Sequence, residues 1–313
     1  MKKNILITGG LGHIGSAFLS SLKKNEFGKI IIIDNLLTQR FSSIFNKKNK
    51  INFQFYDYDI SDDKIKSLFK EVDIVIHLAA ITDATNSFNI AKEVKKINYF
   101  GSINIIKICH KYKCKLIFPS TTSVYGSQEN ILDESCPIKD LKPQSPYADY
   151  KLRIEKYLKN FSKKNNMHYI ILRLGTIYGT SIGMRFHTAV NKFCWLASLN
   201  KNLTVWETAL NQKRPYLGLN DAVRCFKFII KKDLFDNEIY NVVSSNNTVN
   251  DIIKIIKIKL KNVQIKFVKT RIMNQLSYEI LSDKIKKKGF FFRDNIKKGI
   301  FDTLHYLNSI NNR

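Results

Sequence analysis

Ile5-Leu-Ile-Thr-Gly-Gly-Leu-Gly-His-Ile-Gly15 is the stretch that decides the reading of this chain. Ile5, Leu6 and Ile7 form an apolar, β-prone run suited to a strand buried on both faces. Thr8 and Gly9 end it. Gly9, Gly12 and Gly15 follow at the spacing G-x-x-G-x-x-G, and a helix is predicted from His13 to about Lys24, with Ile14, Ala17, Phe18, Ser21 and Leu22 on one side. A strand, a glycine turn and a helix start make an anion site. The missing side chains let the backbone approach a pyrophosphate, and free N–H groups at Gly12, His13, Ile14 and Gly15 point at it.

A second apolar run, Ile30-Ile-Ile-Ile33, ends in Asp34-Asn35. Asp34 lies nineteen residues after Gly15, where a carboxylate accepts bonds from both hydroxyls of an adenosine ribose. The same charge repels a 2′-phosphate. The combination predicts dinucleotide binding, with NAD favoured over NADP.

Composition bounds the rest. A chain of 313 residues with 44% hydrophobic content can bury a full core, and one large α/β domain with a smaller companion is expected. No apolar run approaches a membrane span. The first strand begins after Lys2-Lys3-Asn4, which leaves no room for a signal peptide. Five scattered cysteines, Cys109, Cys114, Cys136, Cys194 and Cys225, show no metal-ligand spacing and read as reduced thiols of a cytoplasmic protein. His13, His77, His168 and His187 lack a second ligand at useful spacing, so no metal is expected. The net charge of +26 is spread from end to end among abundant Lys, Asn and Ile, and is read as compositional drift with no nucleic-acid or membrane partner.

Along the chain, strands are predicted at Asn52–Tyr56, Asp73–His77, Lys115–Phe118, Met167–Leu172 and Glu238–Val243. Helices are predicted at Ser61–Lys70, Asn89–Tyr112, Tyr147–Ser162 and Asn220–Lys231. This alternation predicts right-handed βαβ units and a doubly wound parallel sheet of Rossmann type, with ligands at the strands' carboxyl ends. Beyond Arg173 the alternation loosens. Helix Thr188–Leu199, strand Thr204–Trp206 and Arg214–Leu217 read as substrate-domain pieces, as do helix Val249–Lys261, strand Ile265–Val268 and two helices near Asp283–Lys288 and Asp294–Asn308. The expected division is residues 1–173 and 218–244 for the dinucleotide-binding domain. Residues 174–217 and 245–313 make a smaller C-terminal α/β substrate domain.

Tyr147-Ala-Asp-Tyr-Lys151 sets Tyr147 and Lys151 four apart, on one helix face. A neighbouring ammonium, with an oxidised nicotinamide, draws a phenol toward working pH and makes it a general acid and base. Upstream, Pro119-Ser-Thr-Thr-Ser-Val-Tyr-Gly126 starts at the end of a strand. Together with Thr8–Gly15, Asp34-Asn35, Asp59-Ile60, Leu78–Ala80, Asn98–Gly101, Arg173–Gly179 and Arg214–Asp221, these stretches make nearly the whole chain resemble the extended short-chain dehydrogenase/reductase superfamily, and within it the nucleotide-sugar epimerase/dehydratase group. The resemblance implies Thr121 as the hydroxyl that holds the reacting oxygen, with Ser120 and Ser123 as fallbacks. It implies cofactor contacts at Asp59, Ile60, Leu78, Ala79, Ala80 and Asn98. It also implies a homodimer paired through the helices Asn89–Tyr112 and Tyr147–Ser162.

Three departures from the family pattern matter. Sugar 4,6-dehydratases of this group carry an Asp-Glu pair after the catalytic Thr; here Thr122 and Ser123 stand there, and neither is an acid or base near neutral pH. Thr176 and Thr180 replace the Asn and Pro of R-x-x-N-x-Y-G-P. Leu276 stands where relatives place a phosphate-binding Arg, with Arg271 as the nearest substitute. Thr82, Thr176, Arg185, Asn191 and Arg214 are the expected substrate contacts, the arginines because a guanidinium pairs with a diphosphate. Trp195 and Trp206 are read as core, Trp206 also as a candidate for the nucleobase pocket. The expected activity is an NAD-dependent nucleotide-sugar 4-epimerase. A 4-dehydrogenase or ketoreductase, and a non-catalytic dinucleotide-binding module, stay open.

Overall fold

The computed structural model describes residues 2–45, 51–127, 131–269 and 277–308. A seven-stranded parallel sheet forms its centre. Its first five strands in sequence are β1 (Ile5–Thr8), β2 (Ile30–Ile33), β3 (Gln54–Tyr56), β4 (Ile74–His77) and β5 (Lys115–Thr121). Tyr169–Leu174 and Ile239–Val242 complete it. In space the order runs from Ile239–Val242 through Tyr169–Leu174, β5, β4, β1 and β2 to β3. Because β1 pairs with both β2 and β4, the chain reverses its winding there. The carboxyl ends of β1 and β4 part at that point and leave a crevice.

The strands are apolar on both faces because both faces are covered. Ile5 and Ile7 pack into one cluster with Phe18, Phe226 and Ile229, beneath helix α1 (His13–Ser21) and helix Leu219–Lys232. Leu6 packs into the other with Ile105, Ile154 and Leu158, from the helices Ser102–Lys111 and Pro146–Asn165. One residue of register would exchange these two sets, so the isoleucine runs hold the sheet in place.

Several elements differ from the sequence expectation. The helix predicted over Asn89–Tyr112 is three pieces: Ala91–Val94, a π-helical Lys95–Gly101, and Ser102–Lys111. Within the π turn the Asn98 amide accepts from Ile81 N and donates to Ile81 O, both at 2.8 Å, so the helix is tied to the chain leaving β4. The helix predicted at Ser61–Lys70 is a 3-10 segment, Asp63–Phe69, and α1 stops at Ser21. Two short strands had no alternation long enough to read: Thr176–Tyr178 and Ser245–Thr248 flank Lys213–Gly218 in a three-stranded sheet.

A separate apolar cluster joins Val190, Phe193, Leu203, Val205, Tyr216, Ile252, Ile256, Ile300 and Leu304. Ile285 and Phe290, assigned from sequence to the smaller domain, pack instead into the main cluster with helix Leu219–Lys232. Asp221, fully buried in the first turn of that helix, draws them there by accepting from the backbone N–H of Arg293 and Asp294. Among the described residues, no helix is long and apolar enough to cross a membrane.

Candidate active site

The crevice opens into a cleft of about 850 Å³ that starts on the glycine turn and reaches strand Lys213–Gly218. Gly9 sits at φ +64°, and a Cβ there would stand 2.5 Å from Ala79 N, so only glycine lets β1 and the β4 exit approach this closely. At Gly15 a Cβ would meet Gly10 O at 2.4 Å. Gly12 is the least crowded of the three, with its nearest neighbour at 3.3 Å, and it lines the cleft.

Behind the turn runs a directed hydrogen-bond chain. Ser102 Oγ donates to Asn98 O at 2.7 Å, so His77 Nε2 must donate to Ser102 at 2.9 Å. His77 Nδ1 is then the acceptor of the Thr8 hydroxyl at 2.7 Å, and Thr8 Oγ1 accepts from Ala79 N at 3.3 Å. Burial holds His77 neutral, pushed down to about 3. The chain fixes Leu78–Ala80 against the end of β1.

Asp34 stands at the end of β2. Its carboxylate accepts from Leu11 N and Leu36 N, each at 3.0 Å, while burial raises it above the ordinary carboxylate value. Asn35 donates to Asp59 at 2.8 Å, and Ser61 donates to Asp59 from both its backbone and its hydroxyl. With Ile60, these residues form the far end of the cleft. Arg40 lies beside Asp34 and over Gly12. The sequence reading missed it, since it falls in a polar stretch without periodicity.

At the centre of the cleft, Tyr147 and Thr121, the last residue of β5, both line the wall, and the Thr121 hydroxyl pulls the phenol's pKa down against burial. Ser145 caps helix Pro146–Asn165, accepting from Ala148 N, and Pro146 opens its first turn. Lys151, one turn beyond Tyr147, donates to Pro119 O at 2.7 Å with its ammonium 4.6 Å from the Phe118 ring centroid. Burial pushes Lys151 down to about 7 against the upward pull of Glu155. Ser120 gives its hydroxyl to Glu155 at 2.5 Å, and Glu155 is bound by Arg173 at 2.7 Å. Strand end Pro119–Thr121 is thus held from both sides. Ser123 keeps its place on the cleft wall, while Thr122 is buried with its hydroxyl on Leu174 O.

The sequence reading made Lys151 the group that lowers the Tyr147 pKa. In the structure burial raises Tyr147 above the ordinary phenol, and the opposing pulls come from Arg185 and the Thr121 hydrogen bond. The Lys151 ammonium is turned to the Pro119 carbonyl instead.

Opposite this centre, Arg185 binds the Thr82 hydroxyl, and its buried Nε has no partner among the described residues. Thr176 and Arg214 line the same wall, Arg214 donating to Gln212 at 3.2 Å. Trp206 lies here too, with His187 and Tyr278, which sequence reasoning did not select. Asn191 and Asn98 do not line the cleft. Asn191, fully buried, accepts from Gly179 N and donates to Arg185 O, so it braces the loop that carries Arg185. The positions expected to matter at Arg271 and Leu276 lie outside the described residues.

A family model described as the NAD dependent epimerase/dehydratase family matches residues 5–242. This chain belongs to that family. A dTDP-D-glucose 4,6-dehydratase of Dictyostelium discoideum is 33% identical over 77% of this chain, which spans 58% of that protein. A Methanocaldococcus jannaschii protein, provisionally named UDP-glucose 4-epimerase, is 32% identical over 81% of each chain. Among solved structures, the UDP-glucose 4-epimerase of Thermotoga maritima with UDP-glucose superposes with a TM-score of 0.87 at 25% identity, covering 98% of this chain and 99% of that one. The family thus joins two reaction types on one fold, and the side chains of the cleft must separate them.

The residues present fit a dinucleotide. The turn is bare where a diphosphate would rest, the Asp34 carboxylate keeps free lone pairs beside it, and a cation, Arg40, stands at hand.

Proposed function

We propose that this protein is an NAD-dependent epimerase acting at C4 of a nucleotide-linked sugar. The observation that carries the reading is that Thr121 and Tyr147 line one cleft, with Lys151 one turn along the helix from Tyr147, and that this cleft begins on the glycine turn. Gly9, Gly12, Gly15 and the backbone of His13 and Ile14 hold the cofactor diphosphate; Asp34 and Asn35 hold the adenosine ribose; Asp59 and Ile60 meet the adenine; Leu78–Ala80 lie under the ring. NAD held there would supply a reversible hydride acceptor, and a 4-keto sugar turned over in the cleft would regain the hydride on its other face as the C4 epimer.

Tyr147 takes the proton of the C4 hydroxyl and later gives one back. Thr121 holds that oxygen in place, Lys151 orients the nicotinamide ribose, and Arg185 keeps positive charge near the phenol. Arg185 and Arg214 hold anionic groups of the substrate, with Thr82 and Thr176 beside them.

Epimerisation is favoured over dehydration because Thr122 and Ser123 supply neither the acid nor the base that loss of water needs. Asp83, in the segment after β4, lines the cleft near Arg185 and is the carboxylate to replace first should water be lost. The test is incubation with UDP- and dTDP-linked hexoses, with and without added NAD, followed by mass and sugar analysis. The expected product is the C4 epimer, unchanged in mass, with no stoichiometric use of NAD. A product lighter by one water makes the protein a dehydratase. A product oxidised or reduced in step with the cofactor makes it a dehydrogenase or ketoreductase.

The division into a cofactor domain and a substrate domain is likewise our reading, supported by the separate cluster around Phe193 and Ile252. So is cytoplasmic residence, supported by five free cysteines. We also read a homodimer. Phe100 is 55% exposed, and Tyr99, Tyr150, Tyr157 and Phe161 form an aromatic row on the helices read as the interface. Sedimentation at micromolar concentration checks this, a monomer alone contradicting it.

A further inference from the structure

His13 is 3% exposed, lies in the first turn of α1, and faces the cleft. Its protonation pattern follows from its partners. Ser181 Oγ donates its single proton to His13 O at 3.0 Å. The 2.7 Å contact between Ser181 Oγ and His13 Nδ1 must then be a bond in which Nδ1–H donates. That leaves Nε2 as the second ring nitrogen, buried and, among the described residues, without a hydrogen-bond partner.

A buried acceptor with no donor is costly, and native structures rarely keep one without use. The charged groups acting on the ring are Arg185 and His187 from the segment after strand Thr176–Tyr178, and Arg40 from the loop after β2. Asp34 acts on Arg40, and Asp83 acts on Arg185 and His187. The ring is therefore neutral beside two guanidinium cations, Arg185 and Arg40, and an anion on the neighbouring turn would reverse that balance.

We propose that His13 takes a proton from solvent onto Nε2 when the cofactor diphosphate settles on the Gly9–Gly15 turn, and donates it to a phosphate oxygen. The segment that holds Nδ1 makes this possible. Gly183 rests on the turn, where a Cβ would lie 2.4 Å from Leu11 O, and Gly183 N donates to Ser16 at 3.0 Å. The imidazole cannot swing away without breaking that seam. This inference rests on the cofactor reading above.

The test uses protein freed of dinucleotide, with its histidines labelled in the ring for NMR, at pH 7.5. Addition of NAD should convert one histidine from a neutral Nδ1–H ring to an imidazolium, and that signal should be missing in His13→Gln. Calorimetric NAD affinity of the parent should weaken between pH 7 and pH 9, by up to about tenfold per unit for one linked proton, while His13→Gln shows a flat profile. A neutral ring in the NAD complex overturns the proposal, as does an imidazolium signal that survives in His13→Gln. UDP is the separate arm: conversion by UDP and not by NAD assigns the ring to the substrate's phosphates and overturns it too. Failure of NAD to bind at all overturns the cofactor reading and this inference together.

Discussion

The cofactor wall of the cleft is mostly main chain, whereas the opposite wall is mostly side chain. On the first, Gly9–Gly15 and Leu78–Ala80 present backbone at the ends of β1 and β4, locked by the Thr8–His77–Ser102 chain. On the second, Thr82, Thr176, Arg185 and Arg214 arrive from loops and strands far apart in sequence, and Asn191 braces the loop that carries Arg185. A backbone wall suits a ligand that stays the same from one turnover to the next. A side-chain wall can be altered residue by residue without disturbing the sheet, which is how one fold comes to serve several substrates.

The comparison is most open to breakage at Tyr147, where the two walls meet. Tyr147→Phe should lower turnover by roughly a hundred- to ten-thousandfold, the usual worth of a positioned acid–base group, and leave NAD affinity unchanged. Single-turnover kinetics beside calorimetry check both halves; loss of NAD binding as well would mean that the walls are not separable.

Glu155→Ala tests the support beneath. Glu155 and Arg173 are each 3% exposed and pair at 2.7 Å. Removing the carboxylate leaves a buried guanidinium uncompensated, for about 3–5 kcal/mol of lost stability in urea unfolding. A loss below about 1 kcal/mol would mean that water reaches Arg173 and the strand end is not held as described.

The acid limb of stability belongs to the cofactor wall. His13 and His77 are held neutral in the fold, well below their ordinary 6.5, His77 at about 3. Below pH 6.5 the unfolded chain takes protons that the folded chain refuses, so their contribution is complete above pH 6.5 and falls away as pH drops. At pH 5 His77 should cost about 2 kcal/mol relative to pH 7 in dinucleotide-free protein, and His13 acts in the same direction. His77→Gln should remove part of that slope; an unchanged urea midpoint between pH 7 and pH 5 in the parent would show the rings to be accessible.

Asp34→Ala is the smallest of the four. It should weaken NAD binding by about 1–3 kcal/mol and narrow the preference over NADP, with the KM for the sugar nucleotide unmoved. Equal NAD affinity in variant and parent would remove Asp34 from the site.

Much of this molecule is set by short-range order along the chain. The isoleucine runs at 5–7 and 30–33 contain their own burial pattern, the glycine spacing contains its turn, and the Tyr147–Lys151 interval contains its helix face. Thr121 is named only through the family resemblance, and the structure sets it at the end of β5 on the same cleft as Tyr147. Tertiary structure alone decided what acts across the cleft. Arg185, distant in sequence, is the cation that acts on Tyr147, while Lys151 turns to a carbonyl of β5. Arg40 reaches the glycine turn from a stretch with no pattern, and Asn98 and Asn191 spend their amides on backbone. The reason is physical. Periodicity and turn chemistry are properties of neighbours in the chain. A pKa, an orphaned ring nitrogen or a bracing amide depends on desolvation and on charges that only the folded packing brings within a few ångströms.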